Sequence, residues 1–238
     1  MNDSPTRERP PMNDSRLLIK SLAGMLFLLI TMGAAIFLPA GSLKYPLAWI
    51  YLTIFFVLVL LITLYLFLFD KHLLKSRLAA GPVAEPTLAQ KVIQTAAALA
   101  FLGIYILSGF DHRYGWSIVP ESISILGDVF CSLAFVVLFY VFRQNTYLSA
   151  TIEVQDHQQV VATGLYAIVR HPMYTGAIVL MLFTPLALGS FWGLAPSMIL
   201  ALVIGIRAMD EERQLSADLA GYKEYCLKVK YRLIPHIF

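Results

Sequence analysis

The last third of the chain sets ionisable side chains among apolar neighbours. GLYAIVRHPMYTG at Gly164 to Gly176 supplies Arg170 and His171, and beyond a largely apolar stretch stand Arg207, Glu211 and Glu212. Such groups are costly at the border of hydrocarbon, so by default they point to a functional site. Arg207 and Glu211 are four residues apart and share one face of a helix, whereas Glu212 is turned away by about 100 degrees. A guanidinium and a carboxylate on one face, with an imidazole opposite, complement an amino-acid-like zwitterion through charge-assisted hydrogen bonds. Tyr166 and Tyr174 flank the Arg170-His171-Pro172 turn and offer rings that stack on a flat heterocycle or face a cation. An adenosyl sulfonium such as S-adenosylmethionine combines these parts.

Other chemistries find less support. The chain has no GxGxxG after a strand and no GxxxxGK[ST], which argues against a Rossmann-type nucleotide site and against an ATPase. His171 lacks a second histidine at helical spacing, and Cys131 and Cys226 lie on different elements, so no metal site is expected.

The elements that must position these residues are membrane helices. Hydrophobic residues make up 58% of the sequence and charged ones only 14%, well outside the soluble norm. Apolar runs at Leu22 to Ala40, Pro46 to Phe69, Val92 to Phe110 and Ile123 to Phe142 each approach the roughly 20 residues needed to cross hydrocarbon. Ala177 to Ile206 is too long for one span and is broken by Pro185, Gly189, Ser190 and Gly193, which read as a turn between two helices. Pro172 and Pro196 suit the first turns of those helices. Folding about Gly189 and Ser190 sets position 171 opposite position 208, returning His171 and the Arg207/Glu211 turn to one membrane face. The expected fold is all-α and integral to the membrane, with about six membrane helices, the last two a tight hairpin, and a C-terminal interfacial helix. Residues 1–20 are expected as a disordered cytoplasmic tail, 21–142 as four transmembrane helices and 143–238 as the catalytic region.

Lysine and arginine set the expected orientation. Arg7, Arg9, Arg16 and Lys20 precede the first span, and Lys71, Lys75, Arg77 and Lys91 fill the second loop. Arg143, Arg170 and the basic residues from Arg207 onward follow the fourth span or the hairpin, leaving Lys44 and Arg113 outside the pattern. Both termini and the polar cluster are thus expected to face the cytosol. The net charge of +3 reports this topology and no nucleic-acid partner. By the same rule Arg143 and Arg170 also read as simple anchors. Arg207 with Glu211 also reads as an ordinary helix-stabilising pair, and Tyr222, Tyr225 and Tyr231 as belt aromatics on an interfacial helix.

From Arg143 to Pro235 the chain resembles the isoprenylcysteine carboxyl methyltransferases and the related phospholipid methyltransferases. The resemblance rests on Arg170-His171-Pro172-Met173-Tyr174-Thr175-Gly176, the apolar hairpin, Glu211-Glu212, Tyr222, Tyr225 and the closing YRLIP at Tyr231 to Pro235. It implies a membrane enzyme using S-adenosylmethionine, with Glu153, Gln158, Gln159, Val160, Val161, Tyr166, His171, Pro172, Met173, Tyr174 and Glu211 around the cofactor. It further implies Arg207 and Glu212 as catalytic residues, with Arg207, Arg143 and Asn145 facing a lipophilic or prenylated substrate drawn from membrane lipid. A carboxylate acceptor needs only orientation by Arg207, whereas an amine needs a base such as Glu212 or His171. Two other readings stay open: a membrane reductase taking NADPH, which looks similar in its C-terminal helices, and a non-catalytic membrane module or transporter.

Overall fold

The structure, a computed structural model, describes residues 13–78, 81–85, 87–151, 158–235 and 237–238. Among these it is helical throughout, with α1 (Asp14–Ala40), α2 (Pro46–Phe69), α3 (Lys71–Leu78), α4 (Leu88–Tyr114), α5 (Glu121–Gln144), α6 (Pro172–Ala187), α7 (Leu194–Asp218) and α8 (Tyr222–Lys228). Short 3₁₀ turns occupy Pro82–Ala84 and Gly164–Ala167. Four of these helices, α1, α2, α4 and α5, are long and apolar enough to cross a membrane, and α6 is a shorter apolar helix. The protein is therefore a multi-pass membrane protein. Its surface fits that reading, for large apolar side chains such as Phe27, Leu38, Leu61, Leu68 and Leu202 point outward.

Local chemistry explains where the helices start and stop. Asp14 places a carboxylate in the first turn of α1, where the helix dipole favours it. Asp70 ends α2, and its Oδ1 then accepts the Leu73 N–H at 2.9 Å, which starts α3. Thr87 caps α4 by accepting the Gln90 N–H. Pro46 and Pro172 take first-turn positions in α2 and α6, where their missing N–H groups are not needed.

Two details depart from the sequence expectation. Residues 14–20, read as tail, already form the start of α1, and residues 1–12 lie outside the described residues. Part of the second loop is the helix α3, because Leu73 and Leu74 bury themselves against Leu17 and Leu66 and leave Lys71 and Lys75 outside.

The helices pack as α5 on α6, α1 on α4, and α7 on both α4 and α6. Met32, Ile36, Tyr51, Ile104, Tyr105 and Leu188 are fully buried where they meet. Inside this core the Tyr51 hydroxyl lies 3.0 Å from both the Tyr105 hydroxyl and Thr184 Oγ1, so these three buried hydroxyls are paired with one another. At one end of the bundle the buried Asp111 accepts hydrogen bonds from Ser190 Oγ at 2.5 Å and from Ser117 Oγ at 2.6 Å. Tyr45 donates to the Leu188 carbonyl. These bonds pin the connection between α6 and α7 to the end of α4, and so fix how far the other ends of α6 and α7 reach.

The α5–α6 contact depends on a glycine. A Cβ on Gly127 would stand 2.4 Å from the Ala187 backbone nitrogen, so any side chain forces the helices apart. Gly33 in α1 has nothing within 4 Å of that position. Gly127→Val should therefore lose about 1–3 kcal/mol to overpacking, whereas Gly33→Ala should be neutral or stabilising by up to about 1 kcal/mol. Thermal unfolding in detergent followed by circular dichroism separates the two; equal melting temperatures would discount the close approach.

Candidate active site

The site is organised by one buried carboxylate. Glu212 stands in the charged C-terminal half of α7, beyond its apolar stretch, with its side chain 10% exposed. Arg170 Nε donates to its Oε1 at 2.6 Å, and Arg232 Nε to its Oε2 at 2.9 Å. His171 Nε2 lies 3.2 Å from Oε1. Burial alone would raise the Glu212 pKa, but the bonds from His171, Arg232 and Arg170 outweigh it and hold the carboxyl at about 2. Arg170 uses its remaining reach to donate to the Val229 and Lys230 carbonyls.

The backbone completes the join. The N–H groups of Arg170 and His171 donate to the carbonyls of Tyr231 and Arg232, each at 2.9 Å, and Thr175 Oγ1 donates to the Leu233 carbonyl at 2.7 Å. The C-terminal segment thus lies along the Arg-His-Pro turn as an added strap. Below the turn, Gly164 has φ 60°, and a Cβ there would strike the Gln144 side chain. That side chain instead accepts the Leu165 N–H, tying the turn back to the end of α5.

Next to this cluster a second chain of bonds runs from α7 to α6. Arg207 Nε donates to the Tyr174 hydroxyl at 3.2 Å, which in turn donates to Glu211 Oε2 at 2.6 Å. The rest of the Arg207 guanidinium is taken up by Glu85 at 2.7 Å, by Gln90 Oε1 and by the Ala150 carbonyl. Gln90 also donates to Asp210. Arg207 is therefore a buried, neutralised strut that fixes the phenol and, through it, the Glu211 carboxylate.

Above these groups lies an open pocket with an empty volume of ≈ 840 Å³ counted out to solvent. Asn145, Gln158, Gln159, Val160, Val161 and Tyr166 line it from the segment after α5. His171, Met173, Tyr174, Arg207 and Glu211 line it from α6, α7 and the turn before α6. Those sequence-derived candidates stand together. Others stand elsewhere. Pro172 is buried at the start of α6, away from the lining, and Arg143 lies over the Phe139 ring at 5.9 Å. Glu212 sits outside the lining, engaged by three neighbours, and a carboxyl held at about 2 is a poor proton acceptor. Glu153 lies outside the described residues.

The pocket also contains residues read differently from sequence. Tyr222 and Tyr225 are buried in its wall rather than exposed in an aromatic belt, because α8 folds back onto α7 and Val160. Tyr225 donates to the Tyr166 carbonyl at 2.7 Å, while the Tyr222 hydroxyl is buried with no hydrogen-bond partner among the described residues. Their three-residue spacing on one helix face was the available signal. Arg170, read as a possible anchor, is 8% exposed and belongs to the site. Glu85 comes from the segment before α4 and Gln90 from its first turn, and neither carried a signal, since only folding sets them against Arg207.

A second, mainly apolar slot with an empty volume of ≈ 1220 Å³ runs between α4, α5, α6 and α7. It shares Ser149, Met173, Tyr174 and Arg207 with the first pocket, so these four residues are a common wall.

The family model described as Phospholipid methyltransferase matches residues 122–219, from the start of α5 to just past the end of α7. That stretch holds the whole polar pocket except Tyr222 and Tyr225. Over 137 residues the chain is also 27% identical to the Delta(14)-sterol reductase TM7SF2 of Mus musculus. The alignment covers 50% of this chain and 33% of the reductase, so the chain spans a third of that relative's length. The fold and site define a multi-pass helical membrane protein, and its site-bearing segment is similar to the phospholipid methyltransferases.

Exchanging Glu212 for Gln strands the buried Arg170 charge, and breaking such a pair should cost about 3–5 kcal/mol. Because the folded pKa lies below the ordinary 4.5, the Glu212 contribution is full above about 4.5 and is lost as pH falls toward about 2. The gap in thermal stability between wild type and Glu212→Gln should therefore shrink over that window. A gap independent of pH between neutral and strongly acidic conditions would contradict the charge assignment.

Proposed function

We propose that this protein is an S-adenosylmethionine-dependent methyltransferase acting on a lipophilic acceptor at the cytosolic membrane face. The carrying observation is the common wall: a polar-lined pocket and an apolar, intramembrane slot meet at Ser149, Met173, Tyr174 and Arg207. A transfer between a water-soluble donor and a membrane-soluble acceptor calls for two such compartments and one shared boundary. The match to the phospholipid methyltransferases over residues 122–219 supports the same reading.

The pocket's donor set fits the methyl donor. Glu211 offers a carboxylate for an ammonium group, Gln158 and Gln159 offer amides, and the rings of Tyr166, Tyr222 and Tyr225 surround the space. The unpartnered Tyr222 hydroxyl is a buried donor that gains a partner when a polar ligand enters. When bound, the donor supplies an electrophilic methyl group on sulfonium. The protein supplies position: Arg207 holds Tyr174, Tyr174 holds Glu211, and the apolar slot excludes water from the meeting point. Holding reactants in attack geometry accounts for most of the acceleration such a displacement needs. Arg207, fully engaged in this structure, positions other groups, and Asn145 fixes Tyr166 by donating to its hydroxyl at 3.1 Å.

In this reading α6 and the apolar half of α7 form a membrane hairpin, which gives six membrane helices. Both termini face the cytosol, as the lysine and arginine distribution supports. Residues 143–238 are the catalytic region, and the acceptor's prenyl or acyl part lies in the slot.

The similarity to the sterol reductase favours a second reading, reduction with NADPH. Calorimetric titration of detergent-purified protein should show S-adenosylmethionine binding that weakens at least about tenfold in Glu211→Gln and His171→Ala, a loss of about 1.4 kcal/mol or more. Tritium from the labelled methyl donor should pass into lipid extract. Binding unchanged in both variants would remove the site assignment, and NADPH oxidation without label transfer would establish the reductase.

A further inference from the structure

The slot carries a cation that does not line the methyl-donor pocket. Arg77 lies in α3, outside residues 122–219, and lines the slot beside the common wall. Its Nη1 donates to the Ser149 carbonyl at 3.2 Å and approaches Met173 Sδ at 3.4 Å, and its Cζ lies 5.4 Å from the Phe142 ring centre. Among the described residues its Nε and Nη2 make no hydrogen bond, and no carboxylate stands within ion-pair distance. Burial lowers its pKa from the usual arginine value, outweighing the opposing pull of Tyr174 and of the more distant Glu211 carboxylate.

A comparison within the same helix argues against a membrane anchor. Lys71 and Lys75 are exposed, as positive-inside anchors should be, and Lys71 pairs with Asp14 at 2.5 Å. Arg77 points the other way, into the slot. The neighbouring Arg207 cannot serve as the anion receptor, because Glu85 neutralises it and its donors are committed. A guanidinium without an ion-pair partner among the described residues, at the polar end of an apolar slot, is complementary to a long lipophile with an anionic oxygen head. Its planar fork suits carboxylate or phosphate oxygens bidentately, and it repels an ammonium head.

We propose that Arg77 is the specificity-determining residue for the acceptor, receiving its anionic head while the hydrocarbon tail fills the slot. The inference rests on the slot being the acceptor site in the reading above. Its test uses no methyl donor, so the two stand or fall separately. Protein in phosphatidylcholine nanodiscs is titrated with tritiated palmitate in competition with methyl palmitate, hexadecylamine or monohexadecyl phosphate. Wild type should prefer palmitate over the ester and the amine by at least about tenfold, the scale of a charge-assisted bond. The phosphate arm tells whether the preferred head is carboxylate or phosphate, and competition by either anion supports the anionic selection. Arg77→Gln should abolish the preference, Arg77→Lys should restore part of it, and Lys75→Gln should leave it unchanged. Equal binding of palmitate and its ester to wild type overturns the proposal. So does a preference that survives in Arg77→Gln, provided the variant's melting temperature matches wild type.

Discussion

A buried carboxylate that gathers two guanidinium groups and an imidazole is the constraint on which the site depends. Glu212 is placed by α7, Arg170 and His171 by the turn before α6, and Arg232 by the C-terminal segment. Each group alone would be expensive to desolvate; together they satisfy one another. This is why segments far apart in sequence converge without a sheet or a large soluble core to hold them. The backbone bonds from Arg170 and His171 to Tyr231 and Arg232 add direction to the charge cluster. With the turn fixed, Tyr174 and Glu211 have only one place to go.

The opposite end of the bundle does complementary work. Asp111 binds Ser190 and Ser117, and Tyr45 binds Leu188, so the α6–α7 connection is anchored where it leaves the core. Two helices held at one end by a hydrogen-bonded acid and at the other by a charge cluster cannot slide past each other by a turn. The Gly127–Ala187 contact then sets their distance from α5. Position, rather than a strongly reactive side chain, is what this architecture delivers to the pocket. The division of labour between the two arginines of the slot follows from the same arrangement. Arg207 belongs to the scaffold because Glu85 and Gln90 reach it, whereas Arg77 has no ion-pair partner among the described residues.

Much of this was legible in the chain. Hydrophobic runs locate α2, α4, α5 and the end of α1 to within a few residues because hydrocarbon demands long uninterrupted segments, while the polar first two turns of α1 escape them. Spacing of four puts Arg207 and Glu211 on one helix face, and Pro172 marks the start of α6. The Arg-His-Pro stretch and Tyr174 are recognisable as a unit, and Arg170, His171 and Tyr174 line one pocket with Gln158 to Val161. Tyr222 and Tyr225 misled because an amphipathic tyrosine suits a membrane interface as well as a pocket wall. Exposure alone distinguishes the two, and exposure is a property of packing.

The sequence by itself thus determined the class of molecule, the spans and the group of residues with chemical potential, because periodicity and hydropathy are local properties. Only the tertiary structure decided which charge neutralises which. Glu85 and Arg207, or Glu212 and Arg232, become partners through contacts that no spacing encodes. That pairing is what turns Arg207 and Glu212 into supports and leaves Glu211 and Arg77 facing open space.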